Sequence, residues 1–557
     1  MAASYKPKDG PVVAIIGAGF GGVIAALYLE KKLGFRNFLI YEKDGHVGGT
    51  WSNNTYPGVH CDIISFLYSV STDLSPDWNK ICASQATVLS YIKSLIAKYN
   101  LDPHIHLNTL VIGAEWDDEK QIYRVETRDS NGTLRTQTAN IIISAAGILH
   151  APKMPNLSGL DVFKGDLFHS ATWDHTVDLR NKRVAIIGNG TSAAQIMGQI
   201  PKIEGIQVTQ FARTRSWILP YLQGNVPSTL QWVLRYVPFA NRLLRWTSFW
   251  MAHELIYQLV FKRPALRGIA MKFSESRLKA AAPREYHDRI VPDFPVGSKR
   301  IIYMNDHLKV LHRSNADLCF DPIREIVADG LITSQGHVPF DVIICATGFI
   351  SDKYMIPIRG KTGKTIQEYY DESGGANAYL GMVKPGFPNF AQLSGSLLMQ
   401  FIGPNTATGF TSVVYFEEVE MDYICRLLKP LINGTVSSFE VKKEVNEAYN
   451  GRLQEKLSRS VHMGRSWYRT NGTGRNFAIW PGSGFAYWRR LRVLRWEDYV
   501  FRSPSGAIVK LNRASWWLGL TLAACIGTAA CLAGSNMSLE ALKTHDLKGI
   551  LQKITAW

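Results

Sequence analysis

Residues 12–42 read VVAIIGAGFGGVIAALYLEKKLGFRNFLIYE, and the order of residue types within them decides the fold. Residues 12–16 are an unbroken apolar run, the composition of a strand buried on both faces. Gly17-Ala18-Gly19-Phe20-Gly21-Gly22 follows at once, then an apolar helical pattern through Tyr28 and Leu29. A second short strand over residues 38–41 ends at Glu42. Strand, glycine turn, helix, strand and acid make the βαβ unit that holds a dinucleotide. Gly17 permits the tight turn, Gly19 lets backbone approach a pyrophosphate, and Gly22 lets the helix lie close on the strand. The start of the helix turns free N–H groups and the positive end of its dipole toward the phosphates. Glu42 stands where a carboxylate accepts ribose hydroxyls.

The same grammar recurs. Residues 183–187 form a strand, Gly188-Asn189-Gly190-Thr191-Ser192-Ala193 the turn, and residues 208–211 the next strand, ending near Arg213. Gly17 to Glu42 and Gly188 to Arg213 are both 25 positions. An acid at that strand end repels a 2′-phosphate, whereas a guanidinium pairs with it through a planar fork. Arg213, with Thr214 and Arg215 beside it, therefore makes the second site one for NADPH rather than NADH, unless Arg213 is only a solvated surface arginine. Two dinucleotide sites on one chain imply a hydride relay with a flavin as receiver.

Working outward, residues 141–144 followed by Ala145-Ala146-Gly147 resemble residues 341–345 followed by Ala346-Thr347-Gly348. The expected architecture is α/β. Two Rossmann-like domains are present, and the NADPH domain is inserted in the FAD domain. The expected boundaries are 1–150 for the first part of the FAD domain and 151–330 for the NADPH domain, with a helical cap at about 225–290. The FAD domain resumes over 331–504, and 505–557 form an appendage. Within that appendage residues 516–534 are free of charge, and as a helix would span roughly 28 Å, near the thickness of a bilayer core. Two readings stay open for it, a buried helix and a single membrane anchor that leaves the body on the cytoplasmic side.

The 557 residues carry a net charge of +16, yet no run of five basic residues and no compact nucleic-acid motif occurs, so no nucleic-acid partner is expected. Seven scattered cysteines without a CxxC pair argue against a zinc site or disulfide framework, and for a reducing compartment. The first eleven residues lack the apolar stretch of a secretion signal, and no metal site is expected.

Residues 163–174 read FKGDLFHSATWD. Phe163, Gly165, His169, Trp173 and Asp174 match the signature F-x-G-x-x-x-H-x-x-x-W-[PD]. Upstream, Gly48, Gly49, Trp51, Tyr56, Pro57, Gly58 and Asp62 fit G-G-x-W-x-x-x-x-Y-P-G-x-x-x-D. On these motifs and both glycine turns, the chain resembles the Baeyer–Villiger monooxygenases over about residues 10–500. The resemblance implies FAD and NADPH as cofactors. It also implies insertion of one atom of O2 beside the carbonyl of a ketone, through a peroxyflavin. Pro295-Val296-Gly297-Ser298-Lys299-Arg300 is similar to the family's active-site arginine segment. By that resemblance Arg300 and Asp62 are the catalytic pair, and Lys299, Arg213 and Thr214 read the 2′-phosphate. Thr50, Trp51, Thr191 and Ser192 join the cofactor-binding set, and Trp467 closes over the nicotinamide.

A fixed cation that cannot give up a proton keeps a nucleophilic oxygen anion charged and stabilises its adduct, which suits arginine. An ordinary buried salt bridge is the competing reading of Asp62 and Arg300. His169 is expected to fix a linker by hydrogen bonding, with general-base catalysis as the alternative. His60 stands where arginine is common in the family. The aromatic cap and the apolar tail suggest an apolar ketone, such as a polyketide or terpenoid of secondary metabolism. Heteroatom hydroxylation and a membrane-tethered binding protein without turnover are the competing functions. A flavin disulfide reductase would need a redox cysteine pair, and near the first glycine turn the sequence offers only Cys61 and Cys82, 21 positions apart.

Overall fold

The computed structural model describes residues 9–147, 151–219, 224–303, 307–393, 404–406 and 412–511. The apolar run 516–534 lies outside the described residues. Among those that are described, no helix is long and apolar enough to cross a membrane.

The run after Pro11 becomes Val13–Ile16, buried along its whole length. It pairs in parallel with Phe38–Tyr41 on one side and Ile141–Ser144 on the other, Val13 standing opposite both Phe38 and Ile141. Ile105–His106 and Phe390–Gln392 complete a five-stranded parallel sheet. The helix Phe20–Leu33 buries its first ten residues and is closed by Gly34 in the left-handed region, φ 63°. It packs on the long helix Val413–Ile432. A second five-stranded parallel sheet runs in the order Ala316–Cys319, Gln207–Phe211, Arg183–Ile187, Val342–Cys345, Asp166–His169. Each sheet carries an antiparallel ribbon nearby, Thr109–Asp117 with its partners in the first unit and Ile323–Val327 with its partners in the second.

Two expectations need correction. A boundary at 330/331 would cut the second sheet, because Val342–Cys345 pairs with Arg183–Ile187. The chain rejoins the first sheet only at Phe390–Gln392. Residues 141–147 and 341–348 look alike because they do the same job in different sheets: each strand ends against its own unit's glycine turn. His169 is likewise not in a linker but at the end of the edge strand Asp166–His169, opposite Cys345. Its Nδ1 accepts the Ala171 N–H at 3.1 Å and its ring meets Phe349 edge-on at 5.7 Å. Burial pushes its pKa down to about 4, so it is a neutral, poor base that fixes the strand end.

The helical cap is anchored by charge. Arg245 is buried and donates to Glu418 Oε2 at 2.7 Å and to the carbonyls of Leu67 and Ser69. Glu418 also accepts the Ser71 N–H at 2.7 Å and the Tyr28 hydroxyl at 3.0 Å. Truncating one member strands the other in a dry site. Glu418→Ala should therefore cost about 3–5 kcal/mol, read as a clear drop in thermal unfolding temperature. Replacing both partners with apolar residues of like volume should recover most of that loss.

Candidate active site

Each turn opens at a position where only glycine fits. Gly17 has φ +104°, and a Cβ there would lie 2.5 Å from the Ala145 carbonyl oxygen. Gly188 has φ +140°, and its Cβ would lie 2.3 Å from the Ala346 carbonyl oxygen. At Gly22 a Cβ would stand 1.9 Å from the Gly17 oxygen, so the helix rests on the turn. The second positions differ in kind: a Cβ on Gly19 would meet nothing closer than Gly49 Cα at 3.7 Å, and one on Gly190 nothing within 4 Å. The glycine there leaves room instead of avoiding a clash, as a phosphate-binding turn requires. Gly48 donates its N–H to Ala18 O at 3.0 Å, which lays Gly48, Gly49 and Thr50 over the first turn.

The Glu42 carboxylate accepts the Ala18 N–H at 2.8 Å and the Asp44 N–H at 3.0 Å, bracing the turn. A carboxylate has about four acceptor sites, so capacity for ribose hydroxyls remains. Trp51 is fully buried, edge-on to Tyr68 at 5.9 Å, with its indole N–H donating to the Tyr68 hydroxyl at 3.4 Å. In the second turn the Thr191 hydroxyl is buried with no hydrogen-bond partner among the described residues, a donor set where a phosphate would lie. These features fit FAD at the first turn and a second dinucleotide at the other.

The two units also meet beside the second glycine turn. Gly58, φ +87°, lies so close to the second unit that a Cβ would be 2.7 Å from Gln195 O. The Tyr56 hydroxyl is 2.9 Å from Gln195 Oε1 and 3.3 Å from Ser192 Oγ, and Gln195 donates to His60 O at 3.0 Å. The His60 ring itself turns back to Gly58 O at 2.6 Å. This contact delivers Asp62 to Arg300. The guanidinium donates from Nη2 to Asp62 Oδ2 at 2.9 Å, and both side chains are almost wholly buried. Asp62 Oδ1 is buried with no hydrogen-bond partner among the described residues.

Around the pair stand Tyr303 and Tyr468, each pushed up to about 12 by burial although Arg300 pulls it down. Trp467 is half-buried with its ring 4.3 Å from that of Tyr468. Arg213 and Thr214 are exposed at the strand end, and Asn189 and Ser216 tie that loop to the glycine turn through hydrogen bonds of 2.8 and 2.9 Å. Lys299 feels Arg213 and Arg465 as like charges, and burial together with them lowers its pKa. Lys299 thus lies within electrostatic reach of Arg213 and Arg465, a grouping of positive charge that suits a dianion. Arg465, Tyr303, Tyr468 and Gln195 escaped the sequence reading. Arg465 sits two positions before Trp467. Cys61 and Cys82 are buried, and burial pushes the Cys61 thiol well up, away from the reactive thiolate.

The family pattern described as pyridine nucleotide-disulphide oxidoreductase matches residues 14–221, which hold both glycine turns. A Baeyer-Villiger monooxygenase of Streptomyces coelicolor is 33% identical over 511 residues, spanning 90% of this chain and 95% of its own. One from Pseudomonas aeruginosa is 34% identical over 478 residues, spanning 84% of this chain and 87% of its own. Among solved structures, OTEMO in complex with FAD and NADP aligns with a TM-score of 0.78 at 22% identity, over 89% of this chain and 100% of that one, a likeness of fold. This chain belongs to the Baeyer–Villiger monooxygenase family. It is an FAD- and NADPH-dependent monooxygenase.

Burial pushes the Asp62 carboxyl from 3.8 up to about 6, although the guanidinium beside it pulls the other way. Because the folded value lies above the unfolded one, Asp62 contributes stability below about pH 4, and that contribution is lost as pH rises through about 6. The charged pair needs the opposite condition. Coupled product formation should rise with pH through about 6, and Asp62→Asn should flatten that limb in a pH profile of product per NADPH. At the other end of the site, Arg213→Ala should weaken NADPH binding by roughly 1–3 kcal/mol and spare NADH. Equal losses with the two cofactors, measured by titration, would remove Arg213 from 2′-phosphate recognition.

Proposed function

We propose that this enzyme inserts one atom of O2 beside the carbonyl of an apolar ketone, giving an ester or lactone and consuming one NADPH. The observation that carries the reading is the buried Asp62–Arg300 pair at the junction of the two dinucleotide units. When bound, FAD accepts hydride from NADPH and activates O2. The rest falls to the protein. Gly17, Gly19, Gly22 and Glu42, with Thr50 beside them, hold FAD. Gly188, Gly190, Thr191 and Ser192 hold NADPH, whose 2′-phosphate faces Arg213, Thr214 and Lys299. Trp467 covers the nicotinamide from a segment whose Gly464 lies against Ser298. Arg300 supplies a fixed positive charge where the reaction builds negative charge on oxygen, and it cannot quench that charge by donating its proton. Asp62 limits where the guanidinium can point.

An apolar substrate suits the surroundings, since the helical cap contributes aromatic residues such as Phe261 beside the Trp467 segment. We place the reaction in the cytoplasm, and a sequence whose seven cysteines form no CxxC pair supports that choice. A substrate screen that follows NADPH consumption against product mass tests the assignment, with ketones set against amines and sulfides. Turnover of amines or sulfides with none of ketones would overturn it.

Arg300→Ala should still accept hydride from NADPH in stopped-flow reduction. Ester formation should fall by about 10²–10³, as expected when one preorganised charge is lost, and hydrogen peroxide should appear instead. Arg300→Lys should rescue little, since an ammonium lacks the planar fork. Near-normal ester yield in Arg300→Ala would leave the pair as a structural salt bridge.

A further inference from the structure

The helix Ala240–Phe249 is inside out. It buries Arg245, Ser248 and Phe249, and turns Leu243 and Trp246 to the outside, with Phe239 before them and Trp250 after. Positions 239, 243, 246 and 250 are spaced four, three and four apart, which is one face of a helix. Their side chains are 82, 66, 54 and 44% exposed. Trp246 stacks on Trp250 at 6.5 Å, and Trp250 meets Phe485 at 5.7 Å, so the helix Gly484–Leu491 adds its own exposed ring. Beyond Trp250 the chain continues in π-helical turns that expose Met251, Leu255 and Leu259. The inversion follows from Arg245: the inward face is committed to the ion pair with Glu418, so the tryptophans point away. A contiguous apolar stripe of this kind marks an interaction surface.

Charge decides between partners. Residues 228–281 hold nine Lys or Arg and two Glu. Both acids are engaged, Glu254 accepting the Phe485 N–H at 3.1 Å and Glu275 pairing with Lys279 at 2.6 Å. Arg242, Lys262, Arg263 and Lys272 are exposed. Tryptophan, phenylalanine and leucine beside an excess of lysine and arginine is the composition of a helix lying in the headgroup layer of a bilayer. We propose that the outward face of the cap, residues 239–250 with Phe485, docks on the surface of a membrane containing anionic lipid. Phe261, further along the same helical run, stacks on His462 at 5.3 Å, so the docking surface and the Trp467 segment belong to one packed unit.

The test is flotation of the full-length holoenzyme with vesicles of phosphatidylcholine alone and of phosphatidylcholine mixed with phosphatidylserine. The protein should float with the mixed vesicles, less with the neutral ones, and less again as salt is raised. Replacing Phe239, Leu243, Trp246 and Trp250 together by Ser should lower flotation by about tenfold or more while flavin absorbance and NADPH oxidation stay as they were. If that variant loses its flavin, Phe239→Ser with Leu243→Ser changes the two most exposed positions and should still lower flotation. Three results would overturn the proposal: flotation unchanged by the substitutions, which would assign it to the chain beyond residue 511; no flotation with either vesicle; or a dimer in gel filtration that the substitutions dissociate, which would make the stripe a contact between copies.

Discussion

Taking a carboxylate and a guanidinium out of water costs several kcal/mol for each ion, and their attraction repays this only in part. Asp62 and Arg300 sit in that position, one delivered by the first dinucleotide unit and the other by the loop that closes the second. The raised pKa of Asp62 shows that burial outweighs the attraction. A pair of this kind is a poor choice for stability alone. It forms because the packing around it leaves no alternative: Gly58 is pressed on the helix Thr191–Met197, Tyr56 and His60 O are fastened to Gln195, and the turn Pro295-Val296-Gly297-Ser298 aims Arg300 inward. The site lies where packing between the two dinucleotide units holds both groups in place.

Much of this was legible in the sequence because a dinucleotide turn is a local object. Gly17, Gly22 and Gly188 are demanded by clashes with backbone a few ångströms away, and those demands show as spacing. The partnership of Asp62 with Arg300, 238 positions apart, is not local, and came only from resemblance to a family. The sheet assignment of Val342–Cys345 was beyond reach for a related reason. A buried strand ending in Ala-x-Gly looks the same whichever turn it abuts, and nothing in its own residues names its neighbour. Tyr303, Tyr468 and Arg465 were missed because tyrosine and arginine are common and carry no spacing signature.

The cap shows a different limit. Its tryptophans and leucines read naturally as core, since apolar residues at helical spacing usually face inward. Here a single buried arginine reverses the helix, and only the partner Glu418, 173 positions away, explains why. A charged residue can therefore decide the orientation of an amphipathic helix against the weight of its apolar positions, once its counter-ion is fixed in the body of the protein.

The close approach of Gly58 to Gln195 also sets how near the two dinucleotide units can come. Any side chain at position 58 would act as a spacer, since its first carbon would stand 2.7 Å from Gln195 O. The bonds of Tyr56 and His60 O to Gln195 would then have to lengthen together. The absence of one methyl group thus gauges the gap across which Asp62 and Arg300 meet.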